Sequence, residues 1–255
     1  GKIKYKTILG LSGTHPKHKE KQDLYNELKL ETLSEMSIDE AVENKLIAPY
    51  KIKIIELELD NKDKYITGGS KLKPFMQTER SRYDYYTRLI NMKLFSNQPV
   101  PKFFYLNRMR FLYNLKSKQD FAKKLIPKLE GRTLIFTGSI AQAEDLCKNT
   151  YHSKTDDDKL QKFLKGDINV LACVNAGGVG YTYRDVENFL ITQVNSNGKG
   201  DSTQKIARSL VLQEGYEANI YILVVKNTVD EDWLNKVLKD FDPEKVEYIN
   251  SKNYG

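Results

Sequence analysis

The chain has 255 residues, enough for one or two compact domains, and its 40% hydrophobic content supplies a sizeable core and excludes global disorder. Forty-one Lys and Arg against 34 Asp and Glu leave a formal charge of +7, which favours polyanions such as nucleic acid as partners but is equally met by a solvated lysine-rich surface. No apolar run approaches the roughly 18 residues of a membrane span, which excludes a spanning helix.

Thr7-Ile8-Leu9 reads as a short buried strand running into the loop Gly10–Thr14. Residues 17–31 are charged, with Leu24, Tyr25 and Leu28 at helical spacing, and Ser37 with Glu40 forms a capping box for a short helix that ends before Pro49. Tyr50–Leu59 alternates apolar and charged residues, and the phase shift at Ile54-Ile55 predicts a strand with a bulge. Residues 60–74, with Gly68-Gly69 and Pro74, read as a loop. Helices are expected over 77–95 and over 102–113, separated by Pro99 and Pro101. Ser117 with Asp120 is expected to cap a further helix that Pro127 ends.

After Gly131 short strands and helices alternate. Strands are expected at 133–136, 168–174, 189–192 and 220–225. Helices are expected after Ser139, from a Thr155/Asp158 cap to Gly166, from Thr203 to about Leu212, and after the Thr228/Glu231 cap. Short apolar strands alternating with helices predict an α/β fold, a parallel sheet flanked by helices on both faces, with ligands at the strand carboxyl ends.

Complete catalytic constellations are not legible. The Gly-Lys pairs at Gly1-Lys2 and Gly198-Lys199 lack the spacing of a phosphate-cradling P-loop, and Asp39-Glu40-Ala41-Val42 lies in a capped helix where a Mg²⁺-binding acidic box needs a strand end. Cys147 and Cys173 are too few for a disulfide framework or a zinc site and read as buried small hydrophobes. His15 and His18 stand three apart with Pro16 between them, and no metal site is expected there.

Leu11-Ser12-Gly13-Thr14, then "TLIFTGS", "INVLACVNAGGVGYTYRDVENFLI" and "STQKIARSL", follow one another in order. This ordered set resembles the C-terminal half of superfamily 2 helicases and translocases, in particular the phage and bacterial DNA-helicase type. "YHSKTDDDKLQKFLKGDINVL" and "TVDEDW" fit the intervening and closing segments of that half. The resemblance implies a RecA-like parallel sheet flanked by helices. Residues 1–16 would be the last strand and Ser-Gly-Thr motif of a first lobe, 17–45 a helical connector, 46–245 the second lobe with a helical aromatic and basic insertion at about 60–113, and 246–255 a tail. Ser12 and Thr14 would couple nucleotide to nucleic acid, with Gly178 and Gly180. Thr137, Gly138, Ser139, Asn175 and Gly177 would grip the nucleic-acid backbone. Gln204 and Arg208 would act in the arginine-finger helix, Arg208 as the finger that stabilises charge on the transferred phosphoryl group.

Positions 204, 207, 208 and 211 share one helical face. The family pattern there is Gln, Gly, Arg, Arg, whereas this chain has Gln204, Ala207, Arg208 and Val211, and Gly180 stands where relatives often carry Asp or Asn. The P-loop and acidic box of such motors lie on the first lobe. ATP and Mg²⁺ are therefore expected only in the presence of that lobe, in the same polypeptide or a partner chain, and none is expected on this chain alone. A chain that opens on Gly1 with one strand of a first lobe is expected to be a fragment of a motor, intracellular and cytoplasmic, either cellular or virus-encoded, acting on DNA or RNA. The alternative is a non-catalytic nucleic-acid-binding or scaffolding protein on a degenerate lobe, and a small-molecule enzyme on the same sheet is a third reading.

Arginines and rings interleave between residues 73 and 113, and Arg80 and Arg82 are candidates for nucleic-acid contact. The plainer reading makes Tyr86, Ile90, Phe104 and Phe111 core residues. Arg108 and Arg110 lie about 200° apart on a helix, so both cannot face one phosphate.

Overall fold

A computed structural model describes residues 19–174, 183–194, 206, 210–211 and 215–254, the side chain of Lys21 excepted. Its strands are β1 (Tyr50–Leu57), β2 (Tyr65–Gly69), β3 (Pro74–Gln77), β4 (Thr133–Thr137), β5 (Thr150–Tyr151), β6 (Val170–Val174), β7 (Asn188–Ile191), β8 (Ala218–Val225) and β9 (Val246–Asn250). The helices are α1 (Lys19–Glu27), α2 (Ile38–Glu43), α3 (Glu79–Phe95), α4 (Lys102–Tyr113), α5 (Lys116–Leu125), α6 (Ile140–Leu146), α7 (Asp158–Lys165) and α8 (Val229–Leu238).

Strands buried on both faces have no reason to alternate polar and apolar residues, and the runs in β4, β6, β7 and β8 do not. They pair, all parallel, in the order β5-β6-β4-β7-β8-β1-β9. Successive side chains enter opposite cores. In β8, Ile220, Ile222 and Val224 join one core, which Leu160 and Phe163 of α7 and Leu234 and Val237 of α8 cover. Tyr221, Leu223 and Val225 join the other, covered by Ala122 and Leu125 of α5, Ala143 of α6, Tyr83 of α3 and Leu112 of α4. The α/β class and the doubly covered parallel sheet are thus as the alternating pattern predicts.

Several local expectations are corrected. β1 keeps an unbroken register with β8 and has no bulge there. Ile54 and Ile55 are both fully buried because they enter opposite cores, which two consecutive apolar residues do in any strand lying between two covered faces. Residues 60–74 are not only loop: β2 and β3 form an antiparallel hairpin, with a register shift between Ile66 and Gly68. Residues 246–255 are not simply a tail, since β9 adds to the sheet beside β1.

The caps divide in the same way. Ser37 and Glu40 form the expected capping box, and Thr228 caps α8. Gly166 ends α7 with φ of 85°, a left-handed turn that glycine adopts without steric cost. Ser117 does not cap α5, which begins at Lys116 without a side-chain cap. Its N–H and hydroxyl instead donate to Glu79 of α3, at 3.0 and 2.7 Å. Thr155 does not cap α7 either; its hydroxyl lies between the His152 N–H and carbonyl, both 3.0 Å away.

Glu79 is only 4% exposed. Besides Ser117 it accepts the Asp60 N–H at 3.0 Å. One carboxylate therefore joins the chain leaving β1 to the chain entering α5, at the root of everything between them. Further along α5, Lys118 meets Asp230 of α8 at 2.5 Å, and both side chains are fully buried.

Candidate functional site

Two strands that carry the helicase-like strings lie side by side. Thr137 at the end of β4 stands in register with Val174 at the end of β6, and Phe136 with Ile191 of β7. The three strands therefore end on one rim of the sheet, the rim at which parallel α/β sheets bind ligands.

The turn after β4 is held from within. Thr137 is 1% exposed, and its hydroxyl donates to the Cys173 carbonyl at 3.2 Å. Gly138 donates its N–H to Gln142 Oε1 at 3.0 Å. Ser139 caps α6, its Oγ accepting the Gln142 N–H at 3.2 Å and donating to Asn114 Oδ1 at 3.4 Å. Gln142, 2% exposed, also accepts the Thr192 hydroxyl at 3.3 Å and donates to the Tyr113 carbonyl at 3.4 Å. This one amide ties β4, β7 and the end of α4 together. Gly138 and Ser139 remain half-buried at the rim. Gln193 follows β7 and is 3% exposed, with an Oε1 that has no hydrogen-bond partner among the described residues.

Glycine at 138 follows from Gln193. A Cβ there would lie 1.8 Å from Gln193 Nε2, so the amide would have to move. Gly138→Ala is expected to lower stability by about 1 kcal/mol, since the obstructing atom ends a flexible side chain. In a Gln193→Ala background the same change should cost almost nothing. Urea unfolding of the two single variants and the double variant checks this coupling, and strictly additive effects would contradict it.

The other predicted site residues are placed differently. Ser12, Thr14, Asn175, Gly177, Gly178, Gly180, Gln204, Ala207 and Arg208 lie outside the described residues. Next to them, Ile206 and Leu210 are buried in the core shared with α7, and Val211 is half-buried. Arg80 lies in the first turn of α3 and is half-buried. Arg82 belongs to another neighbourhood: Nε and Nη2 donate to the Tyr86 hydroxyl at 3.0 and 2.7 Å, and Nη1 donates to the Thr67 carbonyl and Gln77 Oε1 at 3.2 and 3.1 Å. Its guanidinium also lies over the Tyr86 ring. Arg82 braces the β2–β3 hairpin against α3.

The aromatic residues of this region depart from the core reading. Ile90 is buried as expected, but the buried ring is Tyr83, while Tyr86, Phe104 and Phe111 are half-buried. α3 and α4 reach the sheet through Tyr83, Leu112 and the half-buried Phe111, while Tyr85, Tyr86, Leu89, Phe103 and Phe104 line a groove beside the hairpin. Sequence reasoning also passed over Gln142, although Ser139 and Gln142 have the spacing of a capping box, and Gln193, whose place beside Gly138 comes from packing between distant segments.

Neither cysteine is poised as a nucleophile. Burial pushes the Cys173 thiol up to about 12, and burial is also the main cause that raises Cys147. Among the described residues no group of three or more His, Cys, Asp or Glu could hold a metal ion, and no helix is long and apolar enough to cross a membrane.

No protein-family model and no curated protein sequence matches the chain. Similar solved structures include the C-terminal domain of the DEAD-box protein Dbp5, at 18% identity over 56% of this chain and 88% of that one, with a TM-score of 0.47. The E. coli DEAD-box protein SrmB, bound to regulator of ribonuclease activity A, is 18% identical over 52% of this chain and 83% of its own, with a TM-score of 0.41. The C-terminal part of the Fun30 ATPase domain is 20% identical over 69% of this chain and 59% of its own, with a TM-score of 0.40.

Proposed function

We propose that this chain is the C-terminal motor half of an ATP-dependent superfamily 2 helicase or translocase that acts on nucleic acid, in the first instance DNA. The observation that carries the reading is the register of Thr137 with Val174. It brings the ends of the strands within "TLIFTGS" and "INVLACV" to one rim, so that two strings far apart in sequence serve a single surface.

On this reading Thr137, Gly138, Ser139, Asn175 and Gly177 belong to the nucleic-acid grip. Ser12, Thr14, Gly178 and Gly180 couple it to nucleotide, and Arg208, with Gln204 one turn earlier, faces the transferred phosphoryl group. The closed network around Gln142 supports a grip that keeps its shape before the strand arrives, which lowers the cost of binding. No P-loop string occurs in the 255 residues, so ATP and Mg²⁺ belong on a P-loop lobe of the same polypeptide or of a partner chain.

The purified chain is expected to show no ATP turnover above background, and nucleic-acid-stimulated turnover is expected when a P-loop lobe is joined to it. Robust turnover by the chain alone would overturn the reading. The alternative is a non-catalytic nucleic-acid-binding or scaffolding protein on a degenerate lobe, favoured by Ala207, Val211 and Gly180 where motors carry other residues. It predicts nucleic-acid binding with no turnover in either arrangement.

A further inference from the structure

The charge of this protein is not spread evenly. Residues 60–113 contain eleven Lys and Arg (62, 64, 71, 73, 80, 82, 88, 93, 102, 108 and 110) and four acids (60, 63, 79 and 84), a balance of +7. The whole chain, 41 minus 34, is also +7, so the remaining residues hold 30 of each sign and are neutral. Among the described residues, moreover, every ion pair lies outside this stretch. Two of its four acids are occupied with backbone: Glu79 at the root, and Asp60, which accepts the Lys62 and Asp63 N–H groups. Cations so placed leave a positive potential that nothing within the stretch cancels.

The same stretch holds a groove of about 650 Å³ between the β2–β3 hairpin and α3–α4, within the roughly 300–1,000 Å³ of ligand clefts. Phe75, Tyr85, Tyr86, Phe103 and Phe104 line it together with Arg82. Phe75 and Phe103 are 58% and 54% exposed, so large ring faces stand in water. Lys71 and Lys73 stand exposed at the hairpin turn beside Phe75.

We propose that this groove binds a single-stranded polynucleotide, bases stacked on Phe75, Tyr85 and Phe103 and phosphates drawn to Lys71, Lys73 and their neighbours. Unpaired bases offer the faces that exposed rings complete, and every base has such a face, so the site needs no base-specific donors. A duplex hides those faces inside its stack. Confinement of the positive charge to the groove's own segments selects a polyanion over a neutral apolar peptide. The site is separate from the rim at the strand ends and goes beyond the motor reading, because it stands on charge and rings alone.

The test is anisotropy of labelled single strands of about 12 nucleotides, oligo-dT and oligo-rU, at about 50 and 200 mM salt. Wild-type protein should bind single strands more tightly than the matching duplex, with a log–log salt slope of about −2 to −4 for three to five phosphate contacts. Phe75→Ala and Phe103→Ala should each weaken binding about tenfold. Lys71→Glu with Lys73→Glu should flatten the slope by at least about 1. Lys165→Glu, on the opposite side of the sheet, should change neither. These side chains are exposed, and circular dichroism verifies that each variant is folded. Photocross-linking of bromouracil-substituted strands should mark residues within 65–111.

The proposal is overturned by preference for duplex, by ring variants that bind like wild type, by cross-links confined to other segments, or by no binding at low salt. The last result would assign the groove to a protein segment. The dT and rU arms tell DNA from RNA. Failure of the motor reading appears as absent turnover with a P-loop lobe and leaves this binding intact.

Discussion

Asp230→Ala should lower the unfolding free energy by about 3–5 kcal/mol, the range for removing one partner of a buried ion pair. Lys118 and Asp230 meet at 2.5 Å with both side chains fully buried, and Asp230 Oδ2 also accepts the Val225 N–H at 3.3 Å. Without the carboxylate, a fully buried ammonium group loses the counter-charge that Asp230 supplies. Lys118→Met should cost a similar amount by stranding the carboxylate, whose Oδ1 already has no hydrogen-bond partner among the described residues. The double variant Lys118→Met/Asp230→Leu should recover most of the loss, because apolar groups of similar volume need no partner. Urea midpoints for the three variants measure this. Single-variant losses below about 1 kcal/mol would mean that water reaches the pair.

On the proposed motor reading, Arg208→Ala should slow nucleic-acid-stimulated ATP turnover by about 10³-fold or more in the presence of a P-loop lobe. A finger guanidinium acts mainly where charge builds up on the transferred phosphoryl group, so nucleotide affinity should fall far less than turnover. Arg208→Lys should rescue little, since an ammonium lacks the planar fork that engages two oxygens. Single-turnover and equilibrium nucleotide-binding measurements separate the two effects. A rate within about tenfold of wild type would remove Arg208 from the reaction.

Much of the sheet was legible because parallel strands covered on both faces must be short and continuously apolar, as in "TLIFT" and "NIYILVV". Where the reading failed, a nonlocal contact outweighed a local pattern. Ser117 resembles an N-cap, but a buried carboxylate from α3 takes its hydroxyl. Residues 60–74 are dense in lysine and glycine and read as loop, yet Arg82 reaches across from α3 to brace β2 and β3 into a hairpin. β9 is an edge strand with exposed Glu247 and Tyr248, so its sequence lacks the apolar signature of its neighbours. Nothing local marks Lys118 as buried, because its partner lies on a helix more than a hundred residues away. At the rim, Thr137, Gly138 and Ser139 were visible in a recognisable string, while Gln142, which holds the turn, and Gln193, which packs beside Gly138, were not.

Glu79 gives the stretch between β1 and α5 an unusual freedom. Asp60 and Ser117 meet on one carboxylate, so that stretch stands to the sheet as a loop stands to its stem. Doubling the length of such a loop changes its closure free energy by only about 0.6 kcal/mol. The strand order is therefore nearly indifferent to the length of the hairpin and of the α3–α4 junction, which could be extended or re-equipped as long as Glu79, Tyr83 and Leu112 keep their places against the sheet.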